Sequence, residues 1–115
     1  MKNPKVSIIV RTKNEERWIY HCLENIILQC YKNHEIIVVD DNSTDQTKNI
    51  VKSFDVKLLN FVGEYYPARA LNLGISEAKG DFLVFISGHC IPKNLHWLEN
   101  LLAPFQKYKK GTSKL

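Results

Sequence analysis

Short apolar runs rich in β-branched residues alternate with stretches of helical period along the whole 115-residue chain. This alternation is the strongest constraint on the fold, because it is the signature of βαβ units and hence of an α/β protein with a mainly parallel sheet and helices on both faces. Val6 to Val10 and Glu35 to Val39 read as strands buried on both faces, and Val56 to Phe61 as a shorter edge strand flanked by charge. Phe82 to Ile86, an unbroken apolar run, reads as a fourth, buried strand.

The helices lie between the strands. Ile19, Cys22, Leu23, Ile26, Ile27 and Cys30 fall on one stripe, with Asn14 as the expected N-cap and Glu15 and Glu16 at the positive end of the dipole. Ser43 with Gln46 three residues later forms a capping-box signature for a second helix, with Thr47, Ile50, Val51 and Phe54 inward. Pro67 suits the first turn of a third, with Ala68, Leu71, Ile75 and Ala78 inward and Gly80 just past its end. Leu98, Leu101, Leu102 and Phe105 mark a last helix, disturbed by Pro104. A chain of this length suits one domain, expected over residues 1–106, with 107–115 as a basic flexible tail.

Parallel strands joined by right-handed crossovers present their ligands at the C-terminal strand ends. The functional candidates are therefore Arg11-Thr12-Lys13-Asn14-Glu15, Asp40-Asp41-Asn42-Ser43 and Ser87-Gly88-His89. Asp40 and Asp41 can serve as turn acids, but a helix already capped by Ser43 leaves one of them free, and Asp41 is the better candidate to accept from a nucleobase N–H or a ribose hydroxyl. Gly88 allows close approach to the backbone, and His89 offers an imidazole to a divalent metal or a phosphate oxygen. Arg69, near a helix N-terminus, is either an exposed charge or a phosphate contact.

Charge argues against nucleic acid as a partner. The formal net charge is +4, but Lys107, Lys109, Lys110 and Lys114 supply that excess, and residues 1–100 balance. Cys22, Cys30 and Cys90 form no C-x-x-C pair and no even framework, so the expected compartment is reducing and cytoplasmic, with peripheral association at the inner face of the membrane left open. The C-terminal Ser-Lys-Leu resembles a peroxisomal address, of a kind that basic tails also generate by chance.

Three blocks, VSIIVRTKNEE, EIIVVDDNSTDQT and ARALNLGISEAKGDFLVFISGHCIP, resemble the nucleotide-binding half of the inverting glycosyltransferases of family two, with the GT-A fold. The resemblance spans Lys5 to about Phe105 and implies a Rossmann-like domain that binds a nucleotide-diphospho-sugar donor for transfer to an acceptor hydroxyl, on a glycan or lipid-linked glycan, in polysaccharide or glycoconjugate synthesis. It implies that Thr12, Asn14 and Glu15, with Arg11, hold the nucleoside, and that Asp41 reads the base. Lys13 stands where the family usually carries an aromatic residue.

The family's Asp-x-Asp metal motif is replaced by Ser87-Gly88-His89, as in the branch ending this strand in Ser-small-His-Cys-x-Pro; Ala68-Arg69-Ala70-Leu71-Asn72 matches that branch upstream. One imidazole for two carboxylates implies either a metal site at His89 that favours Mn²⁺ over Mg²⁺, or charge compensation by Arg69 and His89 without metal. No Asp or Glu follows Glu99, so the chain is expected to lack the family's general base, and a non-catalytic donor-binding module is the alternative reading. Strand four is expected to leave apolar surface open to self-association. A phosphoacceptor receiver domain fails for want of a carboxylate at the end of strand four, and neither G-x-G-x-x-G nor a P-loop is present.

Overall fold

The computed structural model describes residues 3–62 and 67–107. Its elements run β1 (Val6–Thr12), α1 (Ile19–Ile27), β2 (His34–Asp40), α2 (Thr47–Lys52), β3 (Lys57–Asn60), α3 (Pro67–Glu77), β4 (Phe82–Ser87) and α4 (Trp97–Lys107). The strands form one parallel sheet in the order β3-β2-β1-β4. The expected four-stranded α/β architecture is therefore present, with β3 at an edge. The last helix reaches Lys107, one residue into the expected tail, and 108–115 lie outside the described residues.

Strand periodicity sorts side chains onto two faces, and each face has its own core. Val6, Ile8, Val10, Ile36 and Val38 pack with Ile19, Leu23 and Ile26 of α1, Val51 of α2, and Leu98 and Leu102 of α4. On the opposite face Ile9, Ile37 and Val39 pack against Ala70 and Leu73 of α3 and Ala78 just past its end. Strands β1 and β2 are covered on both sides, which is why their sequences are apolar without alternation.

Several expectations need correction. Strand β4 is an edge strand: Phe82, Val84 and Ile86 face the larger core, but Leu83 and Phe85 remain 39% and 45% exposed, because α3 lies over β1 and β2. The inward face of α3 is rotated from that expected, with Ala70, Leu73 and Gly74 inward and Ala68 and Ile75 outward; Ala78, expected inward, does pack against the sheet, just past the helix end. Gly74 sets this rotation: a Cβ there would lie 2.6 Å from Ile9 Cγ2, so the helix sits against the sheet at a residue without a side chain. The α1 stripe stops early, since the helix ends at Ile27 and leaves Ile27 and Cys30 exposed. Leu101 of α4 is also exposed, whereas Phe105 stacks at a tilt on Phe82 with centroids 5.0 Å apart.

Neither expected helix cap forms. Trp18 occupies the N-cap of α1 and Gln46 that of α2, and neither makes a side-chain cap bond. Asp45 instead accepts from the Thr47 amide at 2.9 Å and the Thr47 hydroxyl at 2.5 Å. Against the upward push of burial, these bonds and the Glu16 amide hold the Asp45 carboxyl below its ordinary range.

Candidate functional site

Strand register aligns the three loops. Thr12 pairs with Asp40 across β1–β2, and Arg11 pairs with Ser87 across β1–β4, so the three strands end side by side. The Asp41 amide donates to the Thr12 carbonyl at 2.9 Å, and the Gly88 amide to the Arg11 carbonyl at 2.9 Å, extending the ladder past the strands.

Asn14 and Asn42 take left-handed backbone conformations, with φ of 50° and 54°, which asparagine tolerates better than most residues. Asn14 welds the first loop to the second: its amide donates to Ser43 Oγ at 2.8 Å, and its Oδ1 accepts from the Thr44 and Asp45 amides at 2.8 and 3.3 Å. The Glu15 amide adds a bond to Thr47 Oγ1 at 2.8 Å. Asn14 thus spends its side chain on loop geometry.

The adjacent acids divide. Asp40 is fully buried and directs both carboxylate oxygens at Ser43, accepting from its amide at 2.9 Å and its hydroxyl at 2.6 Å. The acid consumed locally is therefore Asp40, and Ser43 consumes it, where the sequence suggested that Ser43 caps a helix. Asp41 faces the cavity, and Lys13 Nζ lies 3.9 Å from its Oδ2.

Among the described residues the cavity, about 290 Å³, is lined by Arg11, Thr12, Lys13, Glu15, Asp41, Ser87 and His89. The structure thus brings together most of the candidates, among them Lys13, which lay in the first candidate loop but was given no binding role of its own. Its signal was a cation in a strand-end loop. Asn14, Gly88 and Arg69 are not in the lining; Arg69 is exposed in the first turn of α3. Gly88 does accept a close approach, but from the protein itself, since a Cβ there would meet Thr12 Oγ1 at 2.7 Å and Ile19 Cδ1 at 3.0 Å.

Two features mark this cavity as chemically unfinished. The Thr12 hydroxyl is buried without a hydrogen-bond partner, a rare state for a native polar group. His89 Nδ1 lies 3.0 Å from Glu15 Oε1 and 2.8 Å from Ser87 Oγ. An ionised carboxylate can only accept, so Nδ1–H donates to Glu15, and in the neutral imidazole the Nε2 lone pair is then available. A carboxylate that orients an imidazole in this way is the usual support of a metal-ligating histidine. In that form His89 is of the type that can ligate a divalent cation. Below it, Cys22 is buried; burial, then the nearby Cys90 and Glu15, pushes its thiol up to about 12, so it acts as an inert core residue.

Comparison with known proteins agrees with this fold. The model of the family described as Glycosyl transferase family 2 matches residues 7–113. The chain is 36% identical over 119 residues to dolichyl N-acetyl-alpha-D-glucosaminyl phosphate 3-beta-D-2,3-diacetamido-2,3-dideoxy-beta-D-glucuronosyltransferase of Methanococcus voltae, covering 96% of this chain and 36% of that protein. It superposes with a TM-score of 0.81 and 30% identity on a mannosyltransferase of Pyrobaculum calidifontis in complex with GDP-Man and Mn²⁺, covering 86% of this chain and 31% of that one. A similar match, TM-score 0.79 and 29% identity over 90% of this chain and 31% of the other, is to S. aureus TarS 1-349 in complex with UDP-GlcNAc. The chain spans about a third of the length of these proteins.

Proposed function

Since the chain belongs to glycosyltransferase family 2, we propose that its strand-end cavity binds a nucleotide-diphospho-sugar donor for glycosyl transfer to an acceptor hydroxyl. One observation carries the reading: the register of β1, β2 and β4 gathers a ligand-facing acid, Asp41, with Arg11, Lys13 and His89 around one cavity. Asp41 accepts from the base or ribose. Arg11 and Lys13 face the diphosphate, where they offset the charge that grows on the leaving group. The unpartnered Thr12 hydroxyl supplies a further polar contact.

A divalent cation, when bound, neutralises the diphosphate. His89, oriented by Glu15, is its protein ligand, and imidazole favours Mn²⁺ over Mg²⁺. The P. calidifontis enzyme, captured with Mn²⁺ and its donor, supports this part of the reading. The acceptor is a glycan or lipid-linked glycan, in line with the lipid phosphate in the name of the M. voltae relative. Its transferase name favours transfer over a purely binding role. No general base is assigned among the described residues. The proposed location is cytoplasmic, peripheral to the membrane; among the described residues no helix is long and apolar enough to cross one.

Titration calorimetry with UDP and Mn²⁺ tests the assignment. A hydrogen bond to a charged acceptor contributes about 1.5–3 kcal/mol, so Asp41→Asn should weaken binding about tenfold or more. His89→Ala should abolish the gain from Mn²⁺, and His89→Asp should improve use of Mg²⁺ by restoring an oxygen ligand. Unchanged UDP affinity in Asp41→Asn contradicts the role of Asp41, and a Mn²⁺ effect that survives His89→Ala contradicts that of His89.

A further inference from the structure

A second group of metal-ligating side chains lies outside the strand-end cavity. Cys30, just beyond α1, meets His96 and Glu99 at the start of α4, with one ligand atom from each within 4.8 Å of the others. None of the three lines the cavity described above. His96 Nδ1 is already 3.0 Å from Glu99 Oε1, a pairing that helix spacing alone produces. The convergence of Cys30 on that pair is not produced by helix spacing and needs its own cause.

That cause is a buried glutamine. Gln29 is 1% exposed; its Nε2 donates to the Asn94 carbonyl at 2.7 Å, and its Oε1 accepts from the Leu98 amide at 3.0 Å. The Cys30 amide then donates to the Leu95 carbonyl at 2.9 Å. The His96 amide is held by Asn94 Oδ1 at 2.8 Å, and the His96 carbonyl accepts from the Asn100 amide at 2.9 Å. Backbone on both sides of the group is fixed, while the three side chains are exposed and able to rotate.

We propose that Cys30, His96 and Glu99 form a Zn²⁺ site, with water in the fourth position. Thiolate, imidazole and carboxylate are the zinc ligand types, at bond lengths of about 2.0–2.3 Å, and the soft thiolate selects against Mg²⁺ and Mn²⁺. Binding deprotonates Cys30 and releases that proton to water. The site shares no residue with the strand-end cavity, where the proposed ligand is His89.

Cobalt(II) serves as the spectroscopic probe, in the 115-residue chain carrying His89→Ala and Cys90→Ser so that the strand-end ligand and the other exposed thiol are removed. Added Co²⁺ should give a thiolate-to-cobalt charge-transfer band and tetrahedral d–d absorption, both lost on addition of Zn²⁺. Cys30→Ser, an isosteric change at an exposed residue, should abolish the charge-transfer band without touching the core. His96→Ala and Glu99→Gln should each shift or remove the d–d bands. Absence of the band, its survival in Cys30→Ser, or d–d bands indifferent to both His96→Ala and Glu99→Gln would overturn the proposal.

Discussion

Asp40 and Asp41 are neighbours of the same type, yet one is spent on the fold and the other faces the ligand cavity. Sequence alone made Asp41 the candidate by assuming that Ser43 capped α2; in the structure Ser43 is instead the partner of Asp40. That exchange was illegible because Ser-x-x-Gln describes a cap only where the helix begins at once, and α2 begins at Thr47. Asp40→Ala should therefore destabilise the protein by about 1–3 kcal/mol through the orphaned Ser43 groups, read as a lower urea midpoint. Gly88→Ala should cost about 1–3 kcal/mol in the same assay, because its Cβ would press on the Thr12 side chain, 2.7 Å away, and on Ile19. At the site itself, Glu15→Ala removes the support of His89 and should lower Mn²⁺-linked UDP affinity about 10–100-fold, measured by calorimetry.

Elements were legible where one physical cause dominated. Strands β1 and β2 announce themselves because both faces are buried, and β3 because it is short and charged. Strand β4 has the same apolar composition as a two-sided strand, and nothing in its residues says that α3 lies over its neighbours. Helix periodicity marks a stripe, not an end, so the exposure of Ile27 and Cys30 became visible only in the structure. Gln29, polar and buried, was absent from the apolar stripe, yet it joins the end of α1 to the start of α4. Gln29→Ala takes away the side-chain acceptor of the Leu98 amide and the shorter of two bonds to the Asn94 carbonyl, and should cost about 1–3 kcal/mol. Hydrogen exchange should locate the loss, with faster exchange in α4 than in β1 or β2; uniform acceleration would deny Gln29 this local role.

At the scale of the molecule, one pole of the sheet gathers the loops that face the cavity, and the start of β2 carries a pH-sensitive group. His34 is partly buried, both ring nitrogens lack a partner, and burial, then the nearby Lys32 charge, holds its pKa below the ordinary value. The unfolded chain thus binds a proton that the folded chain resists once pH falls below about 6.5, so stability should fall with acidification through that range. His34→Gln should flatten that part of the urea-midpoint profile.

The exposed Leu83 and Phe85 present an apolar face at the edge of the sheet, and self-association through it is the expected behaviour of the 115-residue chain. Light scattering should show Phe85→Lys to be less associated than the parent. Above all, the account holds that three strand ends make one donor site. Amide chemical-shift mapping during titration with UDP tests this most directly. The prediction is that the largest shifts cluster at residues 11–15, 41–43 and 87–89; shifts centred elsewhere, or none at millimolar UDP, would contradict it.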